Sequence, residues 1–235
     1  MKNEIEYSLE KSFKLSNLAD LSVNYSELAL DSFLKDGTLK EIPFIGTIFS
    51  IVKIGLNIRD IIYLKKILRF LFNFSDTPEC ERNELIEKFD RDAKSSSKFG
   101  EYLMILIDNM DNFEKTDLVA KCFKAYLQNK ITYTDLLRLN HGISQLLLVN
   151  INELTYFYTS DSYYVINESA LQNLGNSGFI QSASPYGSLL GMQPSELGEK
   201  FMVYALGKNI KLRAAEIKKK NEDKRNKEKN IDSSS

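Results

Sequence analysis

The side chains that most often carry chemistry are scarce in this chain of 235 residues, which holds one histidine, His141, and two cysteines, Cys80 and Cys122. A structural zinc site takes four ligands from Cys and His, and a histidine-based catalytic apparatus would depend on His141 alone. His141 falls in a leucine-rich stretch of helical spacing, where a packed or solvent-facing histidine is the simpler interpretation. The composition therefore predicts a non-enzymatic protein with no catalytic residue, no cofactor and no metal.

Short motifs that bind nucleotides or metals are also missing from the sequence. Gly175 and Gly178 are a lone pair of turn glycines rather than part of G-x-G-x-x-G or a Walker loop. Asp108 and Asp111 lack the spacing of an EF-hand loop. No G-x-S-x-G sequence surrounds a serine, so the nucleophile motif of the α/β-hydrolases is absent as well.

One group of charged residues is a candidate polar cluster: Arg59, Asp60, Lys65 and Lys66. Helical i,i+4 spacing lets Arg59 reach Tyr63, so a buried polar cluster is one interpretation. An ordinary helix salt bridge worth about 0.5 kcal/mol is the simpler alternative.

These charges lie in an unusually apolar segment, residues 42–74. Pro43 is placed to open a helix that continues through Ile54, and polar residues recur along it at helical spacing: Thr47, Ser50, Lys53 and Asn57. A second helix is amphipathic and basic, with one face made of Ile61, Leu64, Leu68 and Leu71 and another made of Arg59, Lys66, Arg69 and Asn73. The candidate residues for contact with a membrane or a partner are Phe44, Ile45, Ile48, Phe49, Ile51 and Val52.

Two interpretations of residues 42–74 differ in what covers them. Apolar composition followed by basic amphipathic character is typical of a segment that binds anionic lipid. The alternative is a pair of central bundle helices, and the polar stripe favours it because Lys53 would lie mid-helix in lipid. Burying an Ile or Leu stabilises by about 1.5–3 kcal/mol, so these side chains must be covered by the core, by a partner protein or by lipid.

The rest of the chain predicts a mainly α fold with four parts. Residues 1–40 carry one or two modest helices that end near Gly37, and residues 41–158 form a helical bundle with short connections. Thr132-x-x-Asp135 resembles a capping box at the start of one of its helices. Residues 208–235 hold ten Lys or Arg against five Asp or Glu and are expected to be a disordered basic tail.

Residues 159–207 have the order helix, hairpin, helix, which is that of a winged-helix-like α/β unit. Asn167 caps a helix that stops at Gly175, strands follow at residues 178–181 and 188–192, and a last helix begins at Pro194. The helix that would read DNA contains no Lys or Arg, although phosphate and guanine contacts depend on them. A protein-docking unit is favoured over sequence-specific nucleic-acid binding, and a winged-helix transcription regulator is kept as an alternative.

Three stretches resemble a family of bacterial and prophage-borne proteins, some of which are labelled abortive-infection alpha proteins. They are residues 40–46 running into 58–71, residues 99–108 followed by 121–126, and residues 171–179 closing on 196–201. The resemblance spans roughly residues 38–206 and implies a setting in anti-phage defence or superinfection exclusion. It brings no catalytic residues.

The sequence thus predicts an intracellular, cytoplasmic protein that acts through protein–protein contacts, and a homo-oligomer is compatible with it. The charged N-terminus lacks the apolar region of a secretory signal. The main alternative is an effector that perturbs the inner membrane with residues 42–74, which would place the protein at that membrane's surface.

Overall fold

The computed structural model describes residues 2–18, 38–51, 56–94, 98–159, 166–183, 191–208 and 210. Over these residues the chain is mainly helical with one small hairpin, which confirms the predicted fold class. The elements in chain order are α1 (Lys2–Phe13), a 3₁₀ turn (Thr38–Glu41), α2 (Pro43–Ile51), α3 (Ile58–Phe72), α4 (Glu79–Asp92), α5 (Phe99–Asp108), α6 (Phe113–Leu127), α7 (Tyr133–Gln145), a 3₁₀ turn (Leu148–Asn150), α8 (Ile151–Thr159), α9 (Glu168–Asn176), β1 (Ile180–Ser182), β2 (Met192–Pro194) and α10 (Glu196–Lys200), which continues as a π-helical turn (Phe201–Ala205).

The chain divides into two compact units between Asn140 and His141, whereas the sequence placed boundaries after residues 40, 158 and 207. The first difference arises because α1 packs on α2, where the Phe44 amide donates to Ser12 Oγ at 2.8 Å. The second arises because α8 belongs with the hairpin, through a hydrogen bond from Tyr158 Oη to the Phe179 carbonyl.

The core of the first unit is a cluster of phenylalanines to which five helices each contribute at least one ring. Phe99 of α5 lies edge-on to Phe123 of α6, with ring centroids 5.8 Å apart, and Phe70 of α3 meets the same ring at 5.5 Å. Phe13 of α1 and Phe89 of α4 contact Phe99 at 5.3 and 5.7 Å. All five side chains are fully buried, so this cluster fixes how the helices meet.

Local signals in the sequence set several helix ends. α2 begins at Pro43, as predicted. The Thr132–Asp135 capping box is confirmed, since the Asp135 amide donates to Thr132 Oγ1 at 3.1 Å and the Thr132 amide donates to the Asp135 carboxylate at 3.0 Å. α2 is described as far as Ile51, and the rest of the helix predicted through Ile54 lies outside the described residues. Residues 19–37, where the N-terminal helices were expected to end, lie outside them as well.

The second unit shows the predicted order of helix, hairpin and helix, with different boundaries. α9 does not stop at Gly175; it runs to Asn176, and Gly178 (φ 76°) takes the left-handed position after it. The Phe179 amide then donates to the Leu174 carbonyl at 3.1 Å and the Gly178 amide to the Gly175 carbonyl at 2.9 Å, which is the Schellman arrangement.

β1 (Ile180–Ser182) and β2 (Met192–Pro194) overlap the predicted strands only in part, at residues 180–181 and at residue 192. β1 and β2 are antiparallel, and Gln181 pairs with Gln193. Residues 184–190, between the two strands, lie outside the described residues, as does the basic tail apart from Lys208 and Ile210.

Candidate functional site

The candidate site lies on the first unit, where α3 and α5 run side by side. The start of α3 is fixed by a capping box in which the Asp60 amide donates to Asn57 Oδ1 at 3.0 Å and the Asn57 amide donates to Asp60 Oδ2 at 3.1 Å. Asp60 therefore caps the N-terminus of α3. Arg59 and Tyr63 follow one turn apart on the same face.

The opposite wall is α5, whose start is held by Asp90 at the end of α4. The Phe99 amide donates to Asp90 Oδ1 at 2.7 Å, and the Phe99 ring is fully buried. The last turn and a half of α5 faces α3. Its residues Met104, Ile105 and Asp108 line the space between the two helices.

Two long side chains of α3 join it to α5. Tyr63 Oη donates to the Met104 carbonyl at 3.3 Å. Lys66 Nζ donates to the carbonyls of Ile107 (3.4 Å) and Met110, at the C-terminal end of α5. The Ile107 carbonyl also accepts from the Met110 amide at 3.2 Å, and a cation is favourable beside carbonyls at the C-terminal end of a helix. Burial lowers the pKa of Lys66, and the nearby carboxylates of Asp108 and Asp111 partly oppose this.

Lys66 corrects one sequence expectation. It was placed on the polar face of the helix with Arg59, but its side chain is buried. The residue lies at the border between the core face and α5, and its aliphatic stem packs inside while the ammonium reaches carbonyls.

Between the two helices lies a shallow cleft of about 330 Å³ lined by Arg59, Asp60, Tyr63, Met104, Ile105 and Asp108. Arg59 Nη2 and Asp108 Oδ2 are 3.7 Å apart, with 84% and 52% of their side chains exposed. An ion pair this long and this exposed contributes little to stability. Both groups therefore remain available to a further partner.

Three isoleucines of α3 and α5 are exposed: Ile105 (57%), which lines the cleft, and Ile58 (77%) and Ile62 (42%). Ile58 and Ile62 are one turn apart on α3, in the row adjacent to Arg59 and Tyr63. We refer to this surface as the α3–α5 face, made of Ile58, Arg59, Ile62, Tyr63, Met104, Ile105 and Asp108. Exposed apolar side chains grouped around a cleft are typical of an interaction surface.

The predicted contact residues do not form one surface. Phe44 and Ile45 are fully buried, Ile48 and Phe49 are half-buried, and Ile51 is at the margin of exposure. Val52 lies outside the described residues. Most of α2 is thus covered by the first unit itself, as the core interpretation of residues 42–74 expected.

The predicted polar cluster is also divided. Arg59 and Asp60 line the cleft, whereas Lys66 is buried at the end of α5. Lys65 is half-exposed on α3. The i,i+4 relation of Arg59 and Tyr63 brings both to the same cleft, and Tyr63 bonds to α5 rather than to Arg59.

Sequence analysis missed a second polar set in the first unit. Arg69 Nε and Nη2 meet the two carboxylate oxygens of Asp117 at 2.8 and 2.5 Å, and Asn73 Nδ2 donates to the same carboxylate at 2.8 Å. The sequence shows that Arg69 and Asn73 share a helix face at i,i+4 spacing. It does not show where α6 lies, so Asp117 could not be identified as their partner. This set ties α3 to α6.

The second unit has its own buried polar centre. Tyr158 Oη donates to the Phe179 carbonyl at 2.6 Å and accepts from the Ser195 amide at 3.1 Å, and burial raises its pKa. His141 is exposed. A cleft of about 450 Å³ beside the hairpin is lined largely by uncharged residues, among them Gln172, Gln181 and Met192.

Across the described ranges, His, Cys, Asp and Glu side chains do not converge in groups of three or more that could hold a metal ion. In the same ranges no helix has the length and apolar character needed to cross a bilayer. Comparisons with protein-family models, curated proteins and solved structures find no match to this chain.

Proposed function

We propose that this protein acts by binding another protein through the α3–α5 face, without catalysing a reaction. The observation that carries the proposal is the exposure of three isoleucines on α3 and α5: Ile105 lines the cleft, and Ile58 and Ile62 lie in the α3 row next to Arg59 and Tyr63. Covering such side chains releases water from apolar surface, which is the main favourable term in protein association. Arg59 and Asp108 at the same place supply polar contacts that orient a partner.

The cellular setting of this proposal is bacterial anti-phage defence or superinfection exclusion. The support is the resemblance of residues 38–206 to abortive-infection alpha proteins, which is carried by apolar spacing in α2, α3, α5, α6 and the helices that flank the hairpin. The intracellular, cytoplasmic location belongs to the same proposal.

The test is protection of a bacterial host against phage by the wild-type chain and by Ile62→Asp and Ile105→Asp. Both substitutions place a charge on the exposed face without entering the core, so the fold is expected to survive. We expect protection by the wild type and loss of it by both variants. The matched control is Val149→Asp, at an exposed apolar position of the second unit, which should protect as the wild type does.

Each part of the proposal has its own contrary outcome. A wild-type chain that never alters phage growth removes the defence setting. Variants that protect as well as the wild type, while thermal unfolding shows them folded, remove the α3–α5 face as the functional surface.

A second candidate is a membrane-perturbing effector, and one observation favours it: Ile51 and Ile58, on either side of residues 52–55, are both exposed. Apolar side chains beside basic residues are what an anionic bilayer surface attracts. If the protein perturbs membranes, the wild type is expected to make anionic liposomes leak. Ile48→Asp or Ile51→Asp should abolish the leakage while the protein stays folded. The complete burial of Phe44 and Ile45 favours the protein-binding function.

A further inference from the structure

The α3–α5 face carries both signs of charge next to its exposed isoleucines. Arg59 lies on α3 and Asp108 on α5, on the two walls of one cleft. A surface with a single sign of charge would attract an anionic membrane or a nucleic acid by its net field. This surface offers an anionic partner no such net attraction, because the charge of Arg59 is offset by Asp108 and by Asp60, which also lines the cleft.

The same arrangement is complementary to itself. When a two-fold axis relates two copies of a surface, each patch meets its own counterpart, so an apolar row faces an apolar row. The axis also brings Arg59 of one copy opposite Asp108 of the other. Arg has five N–H donors and the present pair is 3.7 Å apart, so each guanidinium can bond the second carboxylate as well.

We infer that the α3–α5 face is where a second copy of this chain binds, forming a two-fold dimer in which the isoleucines pack together and Arg59 of each copy pairs with Asp108 of the other. The inference rests on the proposed function, since it identifies the protein partner of the same face. The face is small, so the dimer forms reversibly and its population depends on concentration.

The helix dipoles favour reversal of both charges, although Asp108→Arg also removes a carboxylate that favours the buried Lys66 ammonium, so its fold is checked by thermal unfolding. Arg59 is in the first turn of α3, after the N-cap Asn57, where an acidic residue is favourable. Asp108 is the last residue of α5, where a basic residue is favourable. Arg59→Asp and Asp108→Arg are therefore suitable reversals.

The experiment is sedimentation velocity on the full chain over about a hundredfold range of protein concentration, which brackets reversible association. The wild type is expected to move from monomer to dimer mass as concentration rises. Ile62→Asp, Arg59→Asp and Asp108→Arg should each stay monomeric, because each places like charges or an unpaired charge in the interface. Val149→Asp should dimerise as the wild type does.

Mixing the two reversal variants gives the decisive result. Arg59→Asp presents two carboxylates and Asp108→Arg presents two cations, so an equimolar mixture is expected to recover the dimer mass that neither variant reaches alone. A damaged fold could not be repaired by mixing. Thermal unfolding of each variant checks the fold separately, and Ile62→Ser replaces Ile62→Asp should that variant unfold.

A wild type that keeps monomer mass throughout, or a mixture no heavier than its components, overturns the second copy as the partner. If the wild type is monomeric and Ile62→Asp still abolishes protection against phage, this inference fails and the proposed function stands. If the dimer forms as described and the monomeric variants protect fully, the dimer stands and the proposed function fails.

Discussion

The Tyr158 hydroxyl occupies almost the place that a side chain on Gly198 would need: a Cβ built there would lie 2.1 Å from Tyr158 Oη and 1.9 Å from the Phe179 carbonyl oxygen. The hydroxyl is held there by its bonds to Phe179 and Ser195. Absence of a side chain at residue 198 is thus what lets α10 approach α8 and the start of β1.

We expect Gly198→Ala to destabilise the second unit by about 3 kcal/mol, the upper end of what overpacking usually costs. A backbone oxygen and a buried hydroxyl must both move to admit the methyl group, which is severe overpacking. Alanine otherwise favours a helix over glycine, so a loss isolates the steric effect. Hydrogen exchange of peptides from α8 to α10 measures it.

The control for that experiment is Gly191→Ala, where the nearest atom to the new Cβ, Ala183 Cβ, is 3.8 Å away. This variant should stay within about 0.5 kcal/mol of the wild type. Equal protection of Gly198→Ala and wild-type peptides would show that α10 does not approach Tyr158 this closely.

The Arg69–Asp117 pair should stabilise the first unit. Both side chains are about three-quarters buried, with 23% and 26% exposed, and their contact is bidentate. Hydrogen bonds to charged groups contribute about 1.5–3 kcal/mol, so Asp117→Ala is expected to lower the free energy of unfolding by about that amount in urea titrations.

Arg91→Met is the matched change for the Asp117 variant. Arg91 Nε lies 3.7 Å from Asp92 Oδ1 and its side chain is 71% exposed, so the cost should be below about 0.5 kcal/mol. If both variants lose a similar free energy of unfolding, the bidentate pair stabilises the protein no more than the exposed pair does.

The sequence predicted features that depend on residues close together in the chain, and it missed features that depend on residues far apart in the chain. The start of α2 at Pro43 and the caps at Thr132 and Asn167 depend on residues three or fewer positions away, and the structure has all of them. The exposure of Ile58 and Ile62 was not predictable in this way. Which face of α3 is covered depends on where α5 and α6 lie, and those helices are distant in sequence.

The candidate site was found only in part for the same reason. Arg59 was singled out for its spacing to Tyr63, but its ionic partner Asp108 comes from another helix. The apolar face predicted for α3, made of Ile61, Leu64, Leu68 and Leu71, did not include Ile62, but no sequence signal marked Ile62 as exposed; its side chain is 42% exposed. Exposed apolar residues at an interaction surface carry the same sequence signal as a buried face.

Lys66→Met is expected to destabilise the protein by about 1–2 kcal/mol. Methionine removes the cost of burying a cation, which offsets part of the loss, but it leaves the carbonyls of Ile107 and Met110 without the ammonium that reaches them. Lys65→Met, at the adjacent half-exposed position, should change stability by less than about 0.5 kcal/mol. A gain in stability for Lys66→Met would show that the buried charge outweighs its hydrogen bonds.

The two cysteines should differ sharply in reactivity. Cys80 is exposed, whereas Cys122 is fully buried and burial raises the pKa of its thiol to about 12. Because the thiolate is the reactive form, an aromatic disulfide reagent at neutral pH should modify Cys80 quickly and Cys122 only after unfolding. Cys80→Ser should abolish the fast phase; a fast phase that persists in this variant would place Cys122 at the surface.

Glu10 should make the first unit less stable as the pH rises. Its pKa is raised by burial and by the nearby Asp90, although the Gly100 amide donates to its carboxylate and opposes the shift. An acid with a raised pKa in the folded state contributes stability that is complete below its unfolded pKa and is lost as the pH rises through the folded value. Glu10→Gln keeps the acceptor for Gly100 without the charge, so we expect it to be more stable than the wild type at neutral pH and to converge with it in acid. Urea titrations across about pH 4 to 8, a range that begins below the ordinary value of 4.5 and extends to neutral pH, measure the difference. A constant offset at every pH would assign the effect to packing rather than to ionisation.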